Sequence, residues 1–144
     1  MGLPGTQVSP LFYPLRPDKV LGRYSDGNPG LAEIRQGEST NIFYGGWQMD
    51  QAFIRDVLNM AGVFVYCDSN DPTEANEKLF TLHARYAGKK TVRLPRRTSV
   101  LDVFGRRIVA RDVETFSFDA KLHTTYLFYL SDDAEALLAK LRQN

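Results

Sequence analysis

Oxygen-bearing side chains cluster where the sequence leaves a short apolar run. The cluster consists of Asp68, Asn70, Asp71 and Glu74. Carboxylate and amide oxygens are the ligands that a hard cation such as calcium prefers. An EF-hand loop would need glycine at its sixth position, where Thr73 stands, and tight turns also select Asp, Asn and Pro. The sequence therefore predicts a turn, with these residues as a secondary candidate for cation binding.

Other residues that could carry catalysis are scattered along the chain. Acid–base hydrolysis by paired carboxylates needs two of them facing each other across a cleft. The carboxylates on or beside predicted strands are Asp102, Glu114 and Asp119, and their spacing sets no two of them face to face. His83, His123 and the single Cys67 lack the spacing of a zinc site or of a nucleophile with its base. We therefore predict no catalytic residue and no cofactor.

Three aromatic residues offer flat apolar faces on which a sugar ring could stack. They are Tyr44, Trp47 and Tyr66. Sugar binding uses such faces flanked by polar groups. Core packing, and stapling of the helix that follows Trp47, account for the same residues, so the sequence leaves both interpretations open.

Charge and composition restrict the partners. The 144 residues carry a net charge of +1 and are 43% hydrophobic, as in an ordinary globular protein. We expect no bulk binding to nucleic acid, and no stretch is long and apolar enough to span a membrane. A basic band in two predicted hairpins could bind phosphates or an acidic polysaccharide, but we favour a solvated rim or a face that docks on an acidic neighbouring domain. Its members are Lys89, Lys90, Arg93, Arg96, Arg97, Arg106, Arg107 and Arg111.

The elements that position these residues begin with a proline-rich arm, in which Leu11–Tyr13 forms at most an edge strand. Three short strands separated by turn residues follow and predict an antiparallel meander. Residues 49–61 have the apolar spacing of a helix packed on a sheet, with Asp50 as N-cap and Gly62 as C-cap. Val63–Cys67 then predicts a buried strand.

The second half of the chain predicts short alternating strands. In the strand at 78–86, Phe80, Leu82, Ala84 and Tyr86 fall on one face, and residues 91–94 are expected to pair back on it before Pro95 closes the strand. A hairpin at 100–110 and strands at 115–119 and 124–130 follow. A final helix capped by Ser131 is expected to dock on the sheet through its apolar side. The docking residues are Ala134, Leu137, Leu138 and Leu141.

The sequence thus predicts a mainly β (α+β) fold, an antiparallel β-sandwich with a short α/β lead-in and a C-terminal helix. The predicted organisation is an arm over residues 1–19, the lead-in over residues 20–67 and the sandwich with its helix over residues 68–144.

Several stretches resemble the C-terminal region of β-galactosidase-type glycoside hydrolases of family 42 and related agarase-like proteins. Val20–Ala32 and Ile42–Gly45 look like the last hairpin and final strand of an amidotransferase-like domain. Leu58–Asp68 resembles the junction that follows it. Leu82–Ala84 and Gly88–Pro95 look like the opening of a small β-sandwich. The resemblance spans about Pro10 to Leu130, and its motifs are turns and strands.

What the resemblance implies is an accessory role. The catalytic carboxylates of such enzymes lie in a (β/α)8 barrel that has no counterpart among these residues, so no catalytic residue carries over. We expect a non-catalytic structural domain that supports domain architecture or oligomer contacts, partnered by a neighbouring catalytic domain or by self-association. The alternative is a module that binds galactan-type carbohydrate.

Overall fold

A computed structural model describes residues 10–46 and 49–143. The mainly β, α+β class is confirmed, since these residues form two antiparallel sheets with a short helix near the C-terminus. The chain divides into two compact units, Met1–Val57 and Leu58–Asn144. The division falls inside the first helix, and the predicted organisation into residues 1–19, 20–67 and 68–144 stays a prediction.

The first unit holds the predicted three-stranded meander. Its strands are β1 (Lys19–Arg23), β2 (Pro29–Gln36) and β3 (Ser39–Tyr44), in the order β1-β2-β3. Leu11–Tyr13 lies within the described residues and forms no strand. Instead, the Tyr24 hydroxyl donates to the Phe12 carbonyl at 3.0 Å. Among the described residues of this unit only Ala32 and Glu33 are buried.

Helix α1 (Gln51–Met60) has the predicted ends. The Asp50 carboxylate accepts the Phe53 N–H at 2.7 Å, as an N-cap should. Gly62 has φ of +71°, and the Val63 N–H donates to the Leu58 carbonyl at 2.9 Å, which completes a Schellman-type C-cap. The expected packing of the apolar face of α1 on a sheet is limited: the ring of Phe53 contacts Tyr44 of β3, but all ten residues of α1 are described and none is buried.

The second unit contains a five-stranded sheet and a helix among its described residues. The strands run in the order β4-β5-β8-β6-β7. Their bounds are β4 (Thr73–Ala75), β5 (Leu79–His83), β6 (Gly88–Asp102), β7 (Arg107–Ala120) and β8 (Thr125–Leu130). The helix is α2 (Ala134–Gln143).

Two long strands replace the short ones that the sequence predicted. Residues 91–94 do not pair with β5, whose neighbours are β4 and β8; they belong to β6, which pairs with β7. Pro95 does not end the strand. The pairing register shifts between Arg93 and Thr98 and again between Thr98 and Val100, and Asp112, opposite the second shift, has φ of +49°. A proline has no ladder donor, so it is accommodated in an irregular stretch where the strand bends.

The sheet closes on itself in a sandwich-like manner. Strands two apart in a flat sheet are about 10 Å apart, and β6 lies between β7 and β8. Nevertheless the rings of Phe118 and Tyr126 are 4.8 Å apart, and those of Phe116 and Phe128 are 5.0 Å apart. Aromatic side chains of β7 and β8 therefore meet inside one core.

The predicted alternation is confirmed for two residues of β5 and for the residue that directly follows the strand. Phe80, Leu82 and Ala84 are fully buried in the core of the second unit. Tyr86 is 61% exposed because β5 ends at His83, before the alternation reaches it.

Val63–Cys67 is not the buried strand that we predicted. Its only ladder contact within the described chain is a bridge from Cys67 to Val92. Val63 and Phe64 are about half exposed, whereas Tyr66 packs against Phe80 with ring centroids 5.6 Å apart. These contacts join the segment to the second unit, which is why the division between units precedes it.

Helix α2 docks as predicted. Ala134 and Leu138 are buried against Leu101, and Leu137 and Leu141 pack beside them. The helix begins at Ala134, after a turn in which Ser131 accepts the Asp133 N–H at 3.5 Å. The apolar spacing thus identified the docked face.

Candidate functional site

Asp71 of the predicted cation cluster lies in a buried ion pair. Its carboxylate is 2.7 Å from the Lys90 ammonium and accepts the Arg85 N–H at 2.8 Å. Burial raises the pKa of Asp71, but hydrogen bonds from Lys90, Ser69 and the Arg85 amide outweigh it and hold that pKa below its ordinary value. Asp71 therefore acts as a structural anchor between the turn and β6.

The other members of the cluster point to different partners. Asp68 accepts a 2.6 Å hydrogen bond from the Arg93 guanidinium, whereas Asn70 is exposed in the turn and Glu74 is exposed on β4. Within residues 10–46 and 49–143, no three His, Cys, Asp or Glu side chains converge as metal ligands would. Asp68 and Asp71 are held by cations of the protein itself.

The carboxylates considered for catalysis are not brought together. Asp102 ends β6, where its carboxylate accepts the Gly105 N–H at 2.8 Å and lies 3.6 Å from Arg107. Asp119 is on β7 and pairs in register with Lys89, which lies at the opposite end of β6 from Asp102. Glu114 is exposed on β7 between them. Each carboxylate thus lies in its own surroundings, without a facing partner at a shared cleft.

The two histidines occupy structural positions. His83 Nδ1 lies 2.9 Å from the Thr125 hydroxyl across the β5–β8 ladder. His123 has φ of +55° in the connection before β8, and its N–H donates to the Ala84 carbonyl at 2.7 Å. The His83 contact joins an imidazole to a hydroxyl as an exposed hydrogen bond between paired strands, and the His123 contact is made by its backbone.

The aromatic candidates for sugar binding that the structure describes belong to different units. Tyr44 packs on Phe53 with ring centroids 4.9 Å apart in the first unit. Tyr66 is half-buried on Phe80 in the second unit. Trp47 lies outside the described residues. The sequence-based sugar site therefore stays a prediction, carried by residues of two different units.

The basic band is divided among separate ion pairs. Five of its members are paired with carboxylates: Lys90 with Asp71, Arg93 with Asp68, Arg97 with Asp112, Arg107 with Asp102, and Arg111 with Glu135. Hydrogen bonds from Arg97 lower the pKa of Asp112. This pairing leaves little uncompensated charge for an anionic ligand, as expected for a solvated rim.

A cleft that the sequence did not predict lies where α1 ends and the extended segment Val63–Cys67 begins. It has a volume of about 540 Å³. Its lining residues are Asn59, Gly62, Val63, Phe64, Val65, Asp68 and Arg93. We missed it because Val63–Cys67 has the composition of a buried strand. The sequence did contain a signal for this cleft: Gly62 ends the helix directly before an apolar run. A chain that turns out of a helix can leave such a run exposed.

Comparisons with protein-family models, with curated proteins and with solved structures find no match to this chain. Neither helix within the described ranges is long and apolar enough to cross a membrane.

Proposed function

We propose that this chain is a non-catalytic accessory domain associated with a glycoside hydrolase. In this proposal the second unit is the stable scaffold, and the first unit is a docking element for the neighbouring catalytic domain. The resemblance to the C-terminal regions of family 42-type enzymes suggests the class of the partner. The observation that carries the proposal is the imbalance between buried and exposed apolar residues in the first unit.

The first unit has almost no core of its own. Ala32 and Glu33 are its only buried residues within the described ranges, and a small sheet needs a covered hydrophobic face to be stable. Large apolar side chains are exposed instead. They include Leu11 at 37%, Phe12 at 70%, Tyr13 at 42%, Leu15 at 88% and Leu21 at 39% exposure. Clustered exposed apolar side chains are typical of protein–protein contact sites.

The apolar side of α1 supports the same interpretation. Met49, just before α1, and Ile54 and Met60 within it are 52%, 44% and 62% exposed, although all three belong to the apolar set that predicted a packed helix. Burial of apolar surface stabilises a protein by about 25 cal/mol per Å². An amphipathic helix whose apolar face is uncovered therefore gains little stability from its apolar residues. A partner that covers this face would supply the missing stabilisation.

The non-catalytic part of the proposal follows from the carboxylates. Three of them form ion pairs within the fold: Asp68 with Arg93, Asp71 with Lys90, and Asp102 with Arg107. These charges therefore stabilise the structure. We expect the full chain to show no turnover of a nitrophenyl β-galactoside. Turnover that is lost on Asp119→Asn or Asp102→Asn would contradict the proposal.

The docking role is tested by titrating the chain into the catalytic domain of a family 42-type glycoside hydrolase, with calorimetry as the readout. Phe12→Asp and Leu15→Asp should each weaken the complex about tenfold or more, because a charge would enter an apolar contact. The matched control is Leu122→Asp, since Leu122 is 52% exposed but lies in the second unit. Equal binding by all variants, or no complex at all, would refute docking through this unit.

Self-association of the chain on its own is the companion expectation. Without a catalytic partner, the same apolar side chains would be covered by a second copy. Light scattering should show a mean mass that increases with protein concentration for the unaltered chain. The Leu15→Asp variant should keep the mass of a monomer.

A further inference from the structure

We propose that the cleft beside the C-terminal end of α1 binds a neutral oligosaccharide, with the ring of Phe64 as the stacking platform. This site lies wholly in the second unit and does not depend on docking through the first. Its features are a fixed aromatic ring, a charge-balanced polar pair and a volume suited to a small ligand.

The ring of Phe64 is exposed but is held in place by its contact with Tyr66. Phe64 is 45% exposed and meets Tyr66 edge-on, with ring centroids 5.0 Å apart and planes at 87°. Tyr66 stacks in turn on Phe80, which is fully buried in the core. A ring fixed in this way loses little conformational entropy when a ligand stacks on it. Tyr66, which the sequence suggested as a sugar contact, is thus a positioning residue for Phe64.

The polar wall of the cleft presents donors and acceptors together. Arg93 Nη2 donates to Asp68 Oδ1 at 2.6 Å and to the Val65 carbonyl at 3.4 Å, which fixes the guanidinium. The side chains of Arg93 and Asp68 stay 49% and 60% exposed. A guanidinium has five N–H donors, and the two hydrogen bonds above come from Nη2 alone, so Arg93 retains donors for ligand hydroxyl groups. Asn59 adds an amide.

Charge balance selects the class of ligand. Because Arg93 and Asp68 compensate each other, the cleft favours neither an anion nor a cation. Its polar wall disfavours a purely apolar ligand, since buried polar groups need hydrogen-bond partners. A sugar ring has one apolar face for Phe64 and hydroxyl groups for the ion pair. The cleft volume of about 540 Å³ lies within the usual range for small-molecule sites, roughly 300–1,000 Å³.

The test is an NMR titration of the full chain with three oligosaccharide probes of equal length. Neutral galacto-oligosaccharide should give saturable shifts of amides in residues 59–68 and at Arg93. Oligogalacturonate and chitosan oligomers carry negative and positive charge and should bind more weakly. Tighter binding of either charged probe, or no saturable shift with the neutral one, would overturn the assignment.

Two variants separate the platform from non-specific contact. Phe64→Ala should weaken binding of the neutral probe about tenfold, because stacking on the ring is lost, whereas Phe64→Trp should retain it. The control is Phe104→Ala in the β6–β7 turn, where Phe104 is 65% exposed, and it should bind like the unaltered chain. Circular dichroism confirms that each variant is folded. Unchanged affinity in a folded Phe64→Ala chain would refute the site, while loss of docking through Phe12 and Leu15 would leave it intact.

Discussion

The buried Lys90–Asp71 ion pair is the most constrained pair of charges in the described chain. Side-chain exposure is 8% for Lys90 and 1% for Asp71. Removing one partner would leave the other as an uncompensated buried charge. We expect Lys90→Met to lower the free energy of unfolding by about 3–5 kcal/mol, measured by urea denaturation with circular dichroism.

The matched control for Lys90→Met is Arg97→Met. Arg97 also pairs with an aspartate, Asp112, but both side chains are largely exposed. Solvent screens such pairs, so this variant should unfold close to the unaltered chain. A similar loss for both variants would show that burial is not what makes the Lys90 pair important.

The same pair predicts how stability depends on pH. The pKa of Asp71 is lower in the folded chain than its ordinary value of 3.8. Its contribution is therefore fully present above that value and is lost as pH falls through the folded pKa. Unfolding free energy should fall as the pH drops below 3.8, and this fall should be shallower in Asp71→Asn. The exposed Glu114→Gln serves as control, and an unchanged slope in Asp71→Asn would contradict the assignment.

At the scale of elements, docking of α2 depends on one buried leucine. Leu138 is 5% exposed and packs with Ala134 against Leu101. Leu138→Ala should cost about 2–5 kcal/mol through lost burial and the cavity left behind. Met60→Ala on the exposed face of α1 should change stability by no more than about 0.5 kcal/mol. Thermal and urea unfolding measure both, and an equal effect would contradict the packing of α2.

Elements governed by local chemistry could be predicted from the sequence. Asp50 and Gly62 were identified as caps of α1 because a cap depends on residues within one turn. The meander and the hairpin at 100–110 were predicted because tight turns bring neighbouring strands together.

Elements governed by distant partners could not be predicted in the same way. Residues 91–94 pair with β7 rather than β5, and nothing local to them specifies that partner. Val63–Cys67 has strand composition, but only Cys67 meets a partner strand in the described chain. The cleft beside Phe64 was not predicted because the strand composition of this segment suggested burial. Tyr66 was identified as an aromatic candidate, but its role in positioning Phe64 was not predicted.

At the scale of the whole molecule, the two compact units differ in how much they bury. The second unit has a continuous core that includes Phe80, Phe128 and Val92. The first unit buries Ala32 and Glu33 alone among its described residues. Since buried apolar area is the main source of stability, the units should open with very different free energies.

Native-state hydrogen exchange on the full chain tests this difference most directly. Ladder amides of β2 and β3 should exchange through low-energy local opening, whereas those of β6, β7 and β8 should exchange only near global unfolding. Addition of the proposed partner, a glycoside hydrolase catalytic domain, should slow exchange in β2 and β3 while leaving β6 to β8 unchanged. Equal protection of both units in the chain alone would contradict the account, because the first unit would then need no partner to be stable.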